Sequence, residues 1–268
     1  MCNLEKKVNL RVLSLGAGVQ SSTLALMIEK GQIPMVDAAI FADTQAESKE
    51  TYEFLDWLKS KLSYPIYILS KGDLTDHLLN TDFPIAPFYS LDTLTGKKGL
   101  MMRQCTNDYK ISIITQKVRQ LLGLKKRQKV KKGTRVEMLM GISKDEIFRI
   151  KDNRLPYITN VYPLIDMNMR RQNCVEWFNK YYDKIPPRSA CIYCPYKNDK
   201  EWKHLRKNNP DEWKQVVEFD KKIRNNSRKK EVEVYVHRSC KPIGEVDLNK
   251  GDDQMNLFDS LCEGYCGN

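Results

Sequence analysis

The chain has 268 residues, 41% of them hydrophobic and 29% charged, a globular composition with enough length for one large α/β domain and a smaller appendage. There is no run of about 18 apolar residues, and residues 1–16 lead almost directly into an apolar strand without the features of a signal peptide, so a cytoplasmic protein with no membrane partner is expected. The net charge of +11 favours anionic partners such as nucleotides, nucleic acid or sulfate esters.

Residues 10–15 (LRVLSL) read as a buried strand. After the turn Gly16-Ala17-Gly18, Leu24, Met27 and Ile28 recur at helical spacing up to Gly31. Residues 36–42 form a second apolar run, and Ser48 caps a helix whose inner face is Tyr52, Leu55, Leu58 and Leu62. Residues 66–69 make a third strand, and this alternation predicts an α/β fold with a doubly wound, mainly parallel sheet.

Residues 80–100 carry prolines, glycines and polar residues without periodicity, which predicts a long loop, a candidate lid. A helix over 106–122 presents Ile111, Ile114, Val118 and Leu121, and residues 135–140 read as a core strand ending at Gly141. From about residue 166 strand signals weaken, Trp, Tyr, Lys and Cys dominate, and helices are expected over 169–180 and 210–224. The expected organisation is an α/β domain over 1–165 with a cysteine-rich, mostly helical region over 166–268 packed on it.

The segment from Ser14 through Gly16, Ala17, Gly18, Val19, Gln20, Ser21 and Ser22 joins a strand to a helix. Glycines let backbone approach an anion, a helix start offers unpaired N–H groups, and the serines add hydroxyls. No Gly-Lys-Ser/Thr follows, which excludes the common ATPase loop. Gly16, Gly18 and Asp43 fit the start of a dinucleotide fingerprint, but Ser21 stands at its third glycine, which disfavours a nicotinamide dehydrogenase. GAGVQSS also resembles the pyrophosphate loop Ser-Gly-Gly-x-Asp-Ser of ATP-pyrophosphatase-type enzymes, with Gly16 at the serine and Gln20 at the aspartate. A tight turn without a ligand is the third reading.

Eight cysteines in a cytoplasmic chain point to metal or thiol chemistry rather than disulfides: Cys2, Cys105, Cys174, Cys191, Cys194, Cys240, Cys262 and Cys266. The pair Cys191/Cys194 has the C-x-x-C spacing that puts two thiolates on one ion, with further ligands from elsewhere. His77 reads as ordinary, and His237, beside Arg238, as a phosphate contact. The basic runs 125–132 and 228–230 are either solvated loops or nucleic-acid contacts.

Phe41-Ala42-Asp43-Thr44 with Glu50-Thr51, Arg103-Gln104-Cys105-Thr106 with Lys110, and Gly141-Ile142-Ser143 with Asp145, Glu146 and Arg149 occur in the order of the phosphoadenosine phosphosulfate reductase family, which the chain resembles over residues 10–200. Gln45 stands at that family's glycine, Thr106 at a cysteine and Tyr109 at an arginine. The segments Cys191-Ile192-Tyr193-Cys194-Pro195, His237-Arg238-Ser239-Cys240 and Cys262-Glu263-Gly264-Tyr265-Cys266-Gly267 are similar to a cysteine-rich branch of that family in bacterial and phage genomes.

The resemblance implies an adenine-nucleotide site built from Ser14, residues 16–22, Asp43, Thr44, Lys110, Gly141 and Arg149, binding ATP or phosphoadenosine phosphosulfate, with Mg as a companion ion. It implies that Cys105, Cys191 and Cys194 hold a [4Fe–4S] cluster, or alternatively zinc, with Cys240 as fourth ligand and Cys262 or Cys266 as alternatives to it. Cys262 and Cys266 are also the implied catalytic thiols of a C-terminal tail, unless that pair completes the metal site. A thiol reductant such as thioredoxin is the implied partner. The implied function is reduction or transfer of sulfur from an adenylated sulfate. The alternatives are an ATP-dependent adenylating thiolation of a nucleic acid or small molecule, and a non-catalytic nucleotide-binding module with structural zinc.

Overall fold

The computed structural model describes residues 7–81 and 84–249. Along the chain it has β1 (Leu10–Leu15), α1 (Val19–Glu29), β2 (Ala38–Asp43), α2 (Lys49–Lys59), β3 (Ile66–Ser70) and α3 (Leu74–Leu79). The hairpin β4 (Tyr89–Asp92) and β5 (Lys98–Leu100) follows, then a π-helical turn (Asn107–Ile111) running into α4 (Ser112–Leu121). Next come β6 (Val136–Met140), β7 (Ile158–Val161), α5 (Pro163–Asp166) and α6 (Arg171–Tyr181). The last elements are α7 (Asp199–Asn208), α8 (Pro210–Lys222) and β8 (Val232–Tyr235).

The main sheet is parallel throughout, with order β3-β2-β1-β6-β7. The chain winds outward from β1 in one direction and then, through β6 and β7, in the other, so the expected doubly wound α/β fold is present. Side chains alternate across a strand. Leu13, Leu15, Ala39, Phe41 and Leu139 pack into one core with α1, α2 and α6, while Val12, Ile40, Ala42, Met138 and Met140 pack into another with α4. Covered on both faces, these strands read as continuous apolar runs. Helix α1 is buried at every position from Val19 to Ile28, because Leu164, Cys174 and Phe178 of α5 and α6 cover the side turned away from the sheet. Helix α2 starts as expected, with Ser48 Oγ accepting the Thr51 N–H.

A second, antiparallel sheet has the order β5-β4-β8. It shares a third core with α3, α7 and α8, in which Tyr193 stacks on Phe219 with ring centroids 4.0 Å apart. Part of the segment expected to be a loop over 80–100 is therefore a hairpin, and β7, α7 and β8 are elements that sequence periodicity did not reveal. Each of these strands is only three or four residues long, too short for alternation to register. Among the described residues no helix is long and apolar enough to cross a membrane.

Candidate functional site

At the carboxyl end of β1 the chain turns through Gly16, Ala17 and Gly18 into α1, beside the point where the strand order reverses between β1 and β6, the usual place for a ligand in an open α/β sheet. Ala17 sits at φ +58°, a left-handed conformation that costs a non-glycine residue ~1 kcal/mol. No side chain caps α1. Within the loop, the Gly16 N–H donates to Ser21 Oγ (3.2 Å), and that hydroxyl reaches the Gly18 carbonyl (3.3 Å). Ser14 Oγ, Ser22 Oγ and Gln20 Oε1 are buried without hydrogen-bond partners among the described residues. Buried polar atoms of this kind call for a partner, whether water, ion or ligand.

The whole loop, Ser14 and residues 16–22, is buried. From the β6 side, Gly141 presses against it: a Cβ there would lie 2.6 Å from Ser21 Cα and 2.7 Å from Ser21 N. Gln20 Nε2 donates to Glu146 Oε2 (3.2 Å) and lies 3.4 Å from Ser143 Oγ. Glu146 in turn holds Arg149 in a buried ion pair of 2.8 Å. The structure thus joins Gln20, Gly141 and Arg149 around the loop, with the guanidinium already engaged by a carboxylate.

On the β2 side, Asp43 Oδ1 accepts the Gln45 N–H and the Tyr52 hydroxyl, each at 2.8 Å. Burial, reinforced by Asp43, pushes the Tyr52 phenol above its ordinary value, so it stays a donor. Thr44 is buried, and its Oγ1 lies 3.4 Å from Cys191 Sγ. Lys110, carried inward by the π-helical turn, pairs with Glu47 at 3.5 Å.

Lys110 borders two small cavities. One, about 10 Å³, is lined by Leu15, Gly16, Phe41, Ala42, Lys110 and Ile114. The other, about 30 Å³, has Thr44, Thr106, Lys110, Cys105, Cys191 and Cys194 among its lining residues. Three of the four cysteines expected to hold a metal therefore meet at one cavity, from segments far apart in sequence. The Cys191–Cys194 turn closes with the Cys194 N–H on the Cys191 carbonyl (3.0 Å), and it is pinned to the end of β2 by the Ile192 N–H on the Ala46 carbonyl (2.8 Å). The Tyr193 hydroxyl between them is raised above its ordinary value by burial first and by Cys191 next.

Cys240 is not among the residues lining that cavity. It is buried on the small sheet at φ +54°, with Sγ 3.7 Å from the Ser90 carbonyl, and burial raises its thiol. Cys174 is in the core beside α1. Cys2, Cys262 and Cys266 lie outside the described residues. The three thiols on one cavity suit a thiophilic ion or cluster in donor chemistry. As they stand, however, no three His, Cys, Asp or Glu side chains among the described residues converge as a metal ion requires.

Glu47 was not foreseen, because nothing local marks it; only the approach of Lys110 gives it a role. His237 is buried, with Nε2 2.9 Å from Asp199 Oδ1 and Nδ1 2.7 Å from Ser239 Oγ, while Arg238 bonds the other Asp199 oxygen at 2.9 Å. Burial lowers the His237 pKa despite Asp199. A groove of about 410 Å³, lined in part by Glu50, Glu53, Lys184, Arg188, Lys197 and His204, lies along α2 and α7 and includes none of the expected site residues.

No protein-family model matches the chain. No curated protein matches it either. Among solved structures it is similar to phosphoadenylyl-sulfate (PAPS) reductase from Candida auris in a phosphate complex, with a TM-score of 0.42 and 14% identity over 69% of this chain and 84% of that one. The doubly wound topology is read from the strand order and register alone.

Proposed function

We propose that the chain performs adenine-nucleotide-dependent sulfur chemistry, with nucleotide phosphates held at residues 16–22 and sulfur handled at Cys105, Cys191 and Cys194. The observation that carries this reading is Lys110, which borders both the cavity at Gly16 and the cavity of the three cysteines. A cation between a sulfur nucleophile and a phosphate-bearing leaving group stabilises the charge that develops as the leaving group departs. Asp43 and Thr44 stand at the end of β2 beside the same point, and Thr44 reaches Cys191.

In the reductive form, a thiolate attacks the sulfur of an adenylated sulfate. The new S–S bond forms as the bond from that sulfur to the phosphate oxygen breaks, and the adenosine phosphate leaves with the electron pair. A second thiol, from a reductant of the thioredoxin class, then opens the thiosulfonate and releases sulfite. In the thiolation form, an acceptor oxygen attacks the α-phosphorus of ATP, pyrophosphate leaves, and a sulfur nucleophile displaces AMP from the acceptor. Cys262 and Cys266 remain the proposed tail thiols, outside the described residues. A [4Fe–4S] cluster on Cys105, Cys191 and Cys194 would supply redox-active iron at the sulfur, whereas zinc on the same thiols would be structural.

A second reading, a nucleotide-binding module without turnover, is favoured by three contacts: Ser21 Oγ occupies the Gly16 N–H, and carboxylates hold both Lys110 and Arg149. The deciding experiment incubates the full chain with ATP, and separately with phosphoadenosine phosphosulfate plus a dithiol, and follows binding and products. Sulfite supports the reductive form, and AMP with pyrophosphate supports thiolation. Binding without cleavage selects the module, and absence of binding to both nucleotides rejects the loop assignment.

A further inference from the structure

We infer that the small antiparallel sheet is a track for an unpaired nucleic-acid strand leading to the cysteine cavity. This rests on the proposed sulfur chemistry and names its acceptor class. The hairpin of β4 and β5 rises from the rim of that cavity: Ala86 and Pro87 line it just before β4, and Cys105 lines it just after β5. The root is closed by the Met101 N–H on the Phe88 carbonyl (2.8 Å) and by the Gln104 and Cys105 N–H groups on the Ile85 carbonyl (2.8 and 2.9 Å).

Lys97 and Lys98 stand where the hairpin turns into β5, both exposed. A second basic run, 228–230, is held at the same end, because the Thr93 N–H donates to the Glu231 carbonyl (2.8 Å). Two basic segments more than a hundred residues apart in sequence are thus brought together. The acids beside them are fewer: Asp92, which accepts N–H groups of Leu94 and Thr95 and faces Lys229; Glu231; and Glu233, which accepts the Tyr235 hydroxyl.

Exposed apolar side chains at Leu94 (83%), Leu100 (48%) and Met102 (66%) lie along the same hairpin, a mixture suited to phosphates with bases between them. From Pro87 to Thr93 the strand rises about 20 Å, room for a few nucleotides of an extended unpaired strand. A duplex turns the faces of its bases inward, away from such apolar side chains, so the strand that lies along them is unpaired. The other basic run, 125–132, lies between α4 and β6 and therefore at the opposite edge of the main sheet from the loop and the cysteines.

The test measures fluorescence anisotropy of labelled 20-nucleotide single strands of mixed sequence, as RNA and as DNA, from 50 to 300 mM KCl. The proteins are the parent chain, K97Q/K229Q/K230Q and, as a remote control, K126Q/K129Q/K131Q, each checked for an unchanged melting temperature. The hairpin variant is expected to lose about 10-fold in affinity and to flatten the log–log salt slope by about 2, at ~0.7 per lost phosphate contact. The remote variant should lose less than about 3-fold. No binding by the parent, or equal losses in the two variants, overturns the inference. Nucleotide turnover is read separately without oligonucleotide: turnover with no strand binding defeats this inference alone, and strand binding on the hairpin with no nucleotide bound defeats the proposed sulfur chemistry alone.

Discussion

Glu47 and Lys110 meet in the interior, Oε1 to Nζ at 3.5 Å, with the carboxylate side chain fully enclosed and the lysine 10% exposed. The pair ties the segment after β2 to the turn before α4, beside the proposed phosphate and sulfur positions. Removing one member leaves the other charge buried, so Lys110→Met should cost ~3 kcal/mol in urea unfolding, and E47L/K110M should recover most of it. Glu47→Gln should be less stable than the parent yet bind ATP more tightly, because it releases the ammonium for phosphate. Weaker ATP binding in that variant would reject a phosphate role for Lys110.

Gly141→Ala should disturb the loop directly. The added methyl would meet backbone atoms of Ser21 at 2.6 and 2.7 Å, so either β6 or the loop must shift, at ~1–3 kcal/mol for such overpacking. A lower melting temperature together with weaker ATP binding is expected. Gly244→Ala, where the nearest atom is a Val217 side-chain carbon at 3.5 Å, should leave ATP binding unchanged.

Cys191→Ala and Cys194→Ala should both abolish whatever iron or zinc the anaerobically purified protein carries, measured by elemental analysis and visible absorbance. Cys174→Ala, in the core beside α1, should retain it. Metal content unchanged in Cys191→Ala would reject the ligand assignment.

His237 should make stability fall in mild acid. Its folded-state pKa is depressed below the ordinary 6.5 by burial, with Arg238 adding to that and Asp199 and Asp220 opposing it. The unfolded chain therefore binds the proton more readily, so its contribution is full above pH 6.5 and is lost as pH falls through the folded value. Urea midpoints from pH 8 to pH 5 should decline for the parent and flatten for His237→Gln. Parallel profiles would show that other groups govern the acid limb.

The long central elements were legible in the sequence because their signals are local. Apolar runs at β1, β2 and β6, the Ser48 cap of α2 and the glycine turn before α1 each follow from neighbouring residues. The edge strand β7 and the hairpin were not legible. Strands of three or four residues owe their existence to the partners they pair with, and β8, which pairs with β4 on the side away from β5, lies more than a hundred residues away.

The same division runs through the candidate site. The sequence alone determined that a glycine-serine turn joins a buried strand to a helix, and that thiols occur at C-x-x-C spacing, since both are properties of adjacent residues. Only the tertiary structure decided that Cys105 faces Cys191 and Cys194, that Lys110 meets Glu47, and that Gly141 seals the loop at Ser21. Those contacts form because helices on both faces press the parallel strands into one sheet, and a parallel sheet gathers the loops after its strands at a single edge.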